Sequence, residues 1–349
     1  MKKIYFIILI IFLSSCSEDK DKESNNGLLK ITFATDWKAQ AEQGGFYQAL
    51  ASGKYLEKGL DVKIIQGNAN INIPRLLASD SIDFGMGSNS FIPMNMVVNN
   101  IPGKAVMAVF QKDPQIIMTH ASNNVENIED IMGLPIMIAD ASIGGFWLWL
   151  KSKYSFKDNQ IRKKTISLAP FLRDTSSIQQ GYLTSEPYLF EQVTGEQPKV
   201  FLMADYGYPS YGAMILASNT MIMKDPKIVQ DFVDASIEGW IDYVYGDPTL
   251  GNKLILSENS EMTEEVLFQA IGKIREYNMI SNEASLGKDI GKMSEEKWKN
   301  FFNIMSENGV YDKDLNWRDA YTLDFIEKDN SCLNLIKFIR NMMTQFLGL

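Results

Sequence analysis

An alternation of strand-like and helix-like segments that stops and then restarts constrains this chain most. Leu29–Thr35 (LKITFAT) reads as a strand, with Ile31 and Phe33 alternating against polar neighbours. Gly45–Lys58 follows with apolar residues near helical spacing, and Gly59 closes it as a C-cap. Asp61–Gln66 is a second strand, Ile73–Ala78 opens a helix, and Asp83–Gly87 is a short strand entering a Gly/Ser/Asn turn. Val106–Phe110 and Gln115–Thr119 add strands. Beyond Thr119 the pattern begins again with helix Glu126–Met132, strand Pro135–Ala139 and the aromatic-rich helix Gly144–Tyr154. Strands Thr165–Leu168, Lys199–Ala204 and Tyr211–Ala217 follow. From Asp225-Pro226 the pattern is helical, to about Tyr245, then over Thr263–Tyr277 and Ser294–Asn308, the last two opened by N-cap residues followed by Glu. Such alternation predicts an α/β fold with mostly parallel sheets, and 349 residues suffice for two domains.

The start of the chain has a different logic. Lys2 and Lys3 precede the apolar run Ile4–Leu13, which ends in Leu13-Ser14-Ser15-Cys16. A basic region, a short apolar core and small residues before a cut describe a secretory signal, and about ten apolar residues are too few to span a bilayer. The Cys at the cut is similar to a bacterial lipoprotein signal. Residues 1–15 are therefore expected to be removed and Cys16 to carry lipid, on the extracytoplasmic face of the cell envelope. Residues 16–27 form a polar tether. Cys332 then has no intrachain partner. Residues 327–349 form a C-terminal extension in which Leu333, Ile336, Ile339, Met343 and Phe346 can align as an amphipathic stripe.

Composition excludes whole classes of chemistry. With one His (His120) and two Cys, no zinc site built on several His or Cys can be assembled, and a Ser-His-Asp triad would need His120. A net charge of −9 argues against nucleic acid as a partner. No Walker A, dinucleotide or metal-ligand spacing occurs. No catalytic residue, cofactor or metal is expected.

What remains is a series of polar turns placed directly after strands, where open α/β sheets bind ligands. The first, Asp36 to Tyr47, holds Asp36, Trp37, Gln43, Gly44-Gly45 and Tyr47: an acceptor, a flat stacking face, and N–H groups at a helix start. The second contributes Ser88 and Asn89; the third contributes Ser142, Gly144 and Trp147. The fourth places Glu186 between Tyr182 and Tyr188, as a carboxylate for an amino group beneath an aromatic cover. The fifth, Asp205 to Tyr211, is rich in Tyr and includes Tyr206 as part of a hinge and lip. These turns contain no nucleophile–base pair.

Asp36-Trp37, Gly45-Phe46-Tyr47-Gln48-Ala49, Gly59-Leu60-Asp61-Val62, Asp83-Phe84-Gly85 and Thr184-Ser185-Glu186-Pro187-Tyr188 resemble substrate-binding proteins of ABC importers, of the thiamine-pyrimidine-precursor type. The resemblance covers about Leu29 to Phe325. It implies a type II periplasmic binding protein fold, with two α/β lobes joined by a two-segment hinge near Gln111–Gln115 and Asp205–Tyr211. Lobe one would be residues 28–112 with 208–326, and lobe two residues 113–207. It implies a monomer that captures a small-molecule ligand, a pyrimidine or similar planar nitrogen heterocycle, for permease and ATPase subunits. Relatives that bind the thiamine pyrimidine often show Pro-Asn after the Trp and a His a few residues on; here Lys38-Ala39 and Gln43 stand there. Alternatives are an enzyme of the pyrimidine-precursor synthase type, or a sensor lipoprotein on the same fold.

Overall fold

The computed structural model describes residues 27–326, apart from 69, 166, 282–284 and 286. The signal with Cys16, most of the tether, and the extension with Cys332 lie outside the described residues. Among the described residues no helix is long and apolar enough to cross a membrane.

Two five-stranded sheets carry an α/β fold. The first contains β1 (Leu29–Ala34), β2 (Leu60–Ile65), β3 (Phe84–Asn89), β4 (Gly103–Phe110) and β10 (Gly212–Ser218), in the order β2-β1-β3-β10-β4. The second contains β5 (Gln115–Thr119), β6 (Ile136–Ile138), β7 (Ile161–Lys163), β8 (Ile178–Tyr182) and β9 (Lys199–Leu202), in the order β7-β6-β8-β5-β9. The chain leaves the first sheet after Phe110 and re-enters it at Gly212.

Helices α1 (Gly44–Ala51), α2 (Lys54–Glu57), α3 (Ile73–Ala78) and α4 (Phe91–Val98) belong to the first half. In the middle lie α5 (Asp140–Ile143), α6 (Phe146–Tyr154), α7 (Ala169–Arg173) and α8 (Glu186–Thr194). After β10 come α9 (Asn219–Lys224), α10 (Pro226–Tyr245), α11 (Thr249–Glu258), α12 (Glu264–Glu276) and α13 (Glu295–Glu307).

The sheets are mixed, not mostly parallel. β1 runs parallel to β2 and β3, but β10 is antiparallel to β3 and β4. Likewise β6 is parallel to β7 and β8, while β5 is antiparallel to β8 and β9. Helical crossovers dictate parallel neighbours; β5 and β10 are each entered from a segment that crosses between sheets, so that rule does not set their direction. The single helix expected over Gly45–Lys58 is two, because Gly53 takes a left-handed φ of 78° between α1 and α2. The described residues of the expected strand Thr165–Leu168, namely Thr165, Ser167 and Leu168, are not in a strand; the paired segment is β7, just before them. The expected caps form: Thr263 accepts from the Val266 N–H at 3.3 Å and Ser294 from the Lys297 N–H at 3.2 Å.

α10 holds the first half together. Val229, Phe232, Val233, Trp240 and Tyr243 are buried along it, and the Phe232 ring stacks on Phe84 at 4.1 Å. Its closest approach is to α1. A Cβ on Gly45 would stand 2.1 Å from the Trp240 ring, one on Gly44 2.1 Å from the Tyr243 ring, and one on Gly239 2.3 Å from the Gly45 carbonyl oxygen. Gly44-Gly45 thus serve helix packing, correcting the expectation that they open the backbone to a ligand. Gly239→Ala should destabilise the protein by about 1–3 kcal/mol in urea unfolding. Gly272→Ala on α12, where a Cβ meets nothing within 4 Å, should be neutral or stabilising.

Candidate functional site

The segments that follow β1, β3, β6 and β8 converge on one crevice. The first runs from Thr35 to Gln43 and is held rigidly. Thr35 Oγ1 donates to the Trp37 carbonyl at 2.7 Å, and the Gly67 N–H donates to it at 3.1 Å. Gln66 Oε1 accepts from the Ala39 N–H at 2.8 Å, and Asn259 Nδ2 donates to the Ala39 carbonyl at 2.8 Å. The Trp37 side of this loop is half-buried, and among the described residues no aromatic ring packs against Trp37.

Asp36 accepts from Gln43 Nε2 at 3.1 Å and from the Ser88 hydroxyl at the end of β3. Burial raises its carboxyl above the ordinary range, and those hydrogen bonds only partly offset it. Glu42 is raised too, first by burial, with the charges of Glu186 and Asp36 adding to it. Its partner is the Thr184 hydroxyl, from the turn after β8. The Thr184 carbonyl in turn accepts from Gln269 Nε2 on α12 at 2.5 Å. Tyr182, ending β8, feels Asp113, Asp36 and Glu42 together; burial first, then those charges, hold its phenol well above 10. The opposite wall is an amide chain. Gln180 Oε1 accepts from the Ala139 N–H at 2.9 Å, and its Nε2 donates to Gln115 Oε1 at 3.1 Å and Ser142 Oγ at 2.5 Å.

Asp36, Gln43, Ser88 and Tyr182 are thus brought together, and Ser142 lines the amide wall. Glu186 needs correction as an open acceptor: Lys164 Nζ lies 2.5 Å from it, and the Tyr182 N–H and Ser185 hydroxyl donate to it at 2.8 and 2.7 Å. Burial opposes its ionisation, but Lys164 and these donors bring its carboxyl below the ordinary value. Trp147 is a core residue, fully buried, with Nε1 on Asp158 at 2.9 Å and its ring beside Phe156. Asn89 accepts from the Phe91 N–H at 3.1 Å, which fixes the start of α4. Gly144 is exposed with open space around it; Gly145 makes the close approach, 3.2 Å from Phe91 for an added Cβ. Tyr206 sits with Phe201, Lys153 and Glu129. Tyr188 is half-buried in the first turn of α8. Tyr47 is buried in the core, its hydroxyl without a partner among the described residues. Glu42, Asp113, Thr184 and Gln180 were not among the candidate ligand residues, although Glu42 and Thr184 lie in the polar turns singled out, because the sequence of a turn does not show which of its polar side chains meet a residue of the other sheet.

A model of the NMT1/THI5-like family matches residues 40–249, more than half of the chain. The chain belongs to the NMT1/THI5-like family. It is 19% identical over 331 residues to the formylaminopyrimidine-binding protein of Halalkalibacterium halodurans, covering 92% of this chain and 98% of that one. It is 21% identical over 316 residues to the riboflavin-binding protein RibY of Chloroflexus aurantiacus, covering 86% of each. The periplasmic aliphatic sulphonate binding protein SsuA of Escherichia coli superimposes with a TM-score of 0.61 at 14% identity, over 86% of this chain and 94% of that one. That likeness establishes the periplasmic-binding-protein fold for this NMT1/THI5-like chain.

The buried acids make opposite demands on stability. Where a folded carboxyl has a raised pKa, the native state keeps protons that the unfolded chain has released, so stability falls as pH rises through that interval. Asp36→Asn and Glu42→Gln, each retaining an acceptor oxygen, should flatten this fall and melt above the parent at pH 7. The lowered carboxyl of Glu186 adds stability above the ordinary glutamate range, lost as pH falls through its folded value. Lys164→Met should remove that acid-side loss. Melting temperatures across pH check both signs.

Proposed function

We propose that the protein is the lipid-anchored solute-binding component of an ABC importer, which captures a small planar nitrogen heterocycle between two lobes and delivers it to permease and ATPase subunits. The observation that carries this reading is the convergence of strand-end segments from both sheets on one polar crevice, with Trp37 half-buried and without a ring neighbour at its edge. The lobes would be residues 28–112 with 208–326, and residues 113–207, bending at the two crossings between sheets. The names of the bacillar and Chloroflexus relatives, a formylaminopyrimidine binder and a riboflavin binder, support a flat nitrogen-bearing ligand. Trp37 would stack on it, and polar groups at the strand ends would meet its edge. The Lys2-Lys3, apolar run and Cys16 order supports the lipid anchor.

Titration calorimetry with aminopyrimidines and riboflavin tests the binding role. Stacking contributes about 0.5–1.5 kcal/mol beyond area burial, and about 1.4 kcal/mol is tenfold in affinity. Trp37→Phe should therefore weaken binding by less than about tenfold, and Trp37→Ala by more. Parent-like affinity for Trp37→Ala would remove the ring from the ligand. Mass spectrometry of the membrane fraction should find a lipid-modified N-terminal Cys16; a mature chain still starting at Met1 would defeat the anchor.

A further inference from the structure

Among the described residues, the two halves of the molecule are joined by polar contacts at the crossings and, beyond them, at a single residue. At the crossings, Lys112 pairs with Asp205 at 3.7 Å, and Asp113 meets the Ser210 hydroxyl. Away from them, the hydrogen bonds between residues 28–112 or 208–326 and residues 113–207 run through Thr184. Its hydroxyl donates to the carboxyl of Glu42, in the turn Ala41–Gln43 that leads into α1. Its carbonyl accepts from Gln269 Nε2, on α12, at 2.5 Å. Thr184 is 1% exposed and Glu42 4%, so water does not compete for the first of these bonds. A carboxyl oxygen accepts that bond whether or not the acid is ionised. At Gly145 the halves touch without a polar bond: an added Cβ would stand 3.2 Å from the Phe91 ring.

The turn that presents Thr184 is fixed within its own half. The Leu183 N–H donates to the Pro114 carbonyl at 3.0 Å, and the Ser185 N–H to the Tyr182 carbonyl at 3.1 Å. Glu186 accepts from the Tyr182 N–H and the Ser185 hydroxyl, and carries Lys164 at 2.5 Å. Glu186 and Glu42 bear on each other between the halves, and Lys164 supplies the charge that lets this turn lie against an acid. The receiving side is fixed as well, since Glu42 leads into α1, which its glycines hold against α10. A preset hydroxyl and a preset carbonyl on one residue thus meet two separate elements of the facing half.

We propose that Thr184 is a latch: its hydroxyl on Glu42 and its carbonyl on Gln269 hold the two halves against each other, so that the closed form is populated before any ligand binds. This rests on the two-lobe reading above and adds what holds the lobes shut. A form populated only in part lowers the apparent affinity of any ligand that selects it by that fraction, so a latch made of protein groups raises affinity without touching the ligand. The same bonds must break for release, which makes Thr184 a determinant of how readily the crevice opens.

Small-angle neutron scattering and amide hydrogen exchange on the full chain, in contrast-matched detergent and with no ligand added, test this. Thr184→Val removes the hydroxyl and Gln269→Met the amide donor, each at nearly constant shape, while Thr184→Ser keeps both latch groups. From the net worth of one hydrogen bond, each of the first two should speed exchange over residues 41–45 by roughly two- to twelvefold. Their combination should approach the product and enlarge the radius of gyration. Thr184→Ser should stay within about twofold of the parent, and exchange over β2 should not change. Unchanged exchange over 41–45 in the double variant overturns the latch, and so does an equal acceleration over β2, which would make Thr184 an ordinary core residue. A parent that scatters as an extended form until riboflavin or an aminopyrimidine is added overturns the latch and leaves the two-lobe reading standing. One profile shared by parent and double variant, with and without those ligands, overturns both. The parent's own profile needs no variant, so the proposal can fail whether or not the variants fold.

Discussion

The crevice depends on how closely α1 lies on α10. Gly44, Gly45 and Gly239 let the two backbones approach to a distance at which one added methyl group would meet a ring or a carbonyl. Phe46 then reaches both Phe33 on β1, at 4.9 Å, and Trp240 on α10, at 5.6 Å. Gln48 extends the clamp: its Oε1 accepts from the Gly251 N–H at 2.7 Å and its Nε2 donates to the Asp247 carbonyl at 3.0 Å. With β1 fixed on one side and α1 on the other, the Thr35–Gln43 segment has little freedom left. Asp36, Glu42 and Gln43 are positioned by helix packing several residues away from them, which is how a rigid element holds polar groups that have few partners of their own.

The crossings between sheets are anchored unequally. The Gln111 and Lys112 N–H groups both donate to the Met279 carbonyl, at 2.7 and 3.0 Å, and Gln111 Nε2 donates to the Lys292 carbonyl at 2.8 Å. On the return, the Ser90 N–H donates to Ser210 Oγ at 3.1 Å, the Tyr211 N–H to Ser90 Oγ at 2.9 Å, and the Ser294 N–H to the Tyr211 hydroxyl at 2.9 Å. Both crossings are therefore tied to the side that carries α13. Any bending between the two halves falls on the short stretches beyond these anchors, around Asp113–Gln115 and before Ser210, and would have to part Thr184 from Glu42 and Gln269.

Much of the fold was legible because periodicity and punctuation reinforce each other. β1, α3, α10, α12 and α13 each have an apolar spacing together with a cap, a Pro or a Gly that ends them. Strand direction was not legible, because β5 and β10 are entered from crossings and no local pattern records their sense. At the site, Asp36 and Gln43 could be read from their place after β1. Glu186 could be seen as a carboxylate in a turn, but not as one already satisfied, since Lys164 comes from a segment 22 residues earlier on the other side of β8. Trp147 misled for a related reason: an aromatic in the first turn of a helix looks the same in sequence whether its face meets a cleft or a core.

Of the four acids in and around the crevice, only Glu186 has a lysine in contact among the described residues, and this difference bears on function more than the fold does. A shared fold places strand ends in the same region of space, yet it leaves the side chains at those ends free to differ. Asp113 forms no ion pair among the described residues, and burial pushes its carboxyl up to about 7 despite the charge of Lys297; for Glu186 the protein supplies the opposite charge in contact. For Asp36 and Glu42 it supplies hydroxyls and an amide, which soften the loss of water without replacing a cation. Such an arrangement opposes folding at neutral pH and survives where another requirement outweighs stability. A crevice built only to be stable would have paired these acids or dispensed with them, and their presence beside an unpartnered buried amide oxygen supports the ligand-binding role proposed above for this loop.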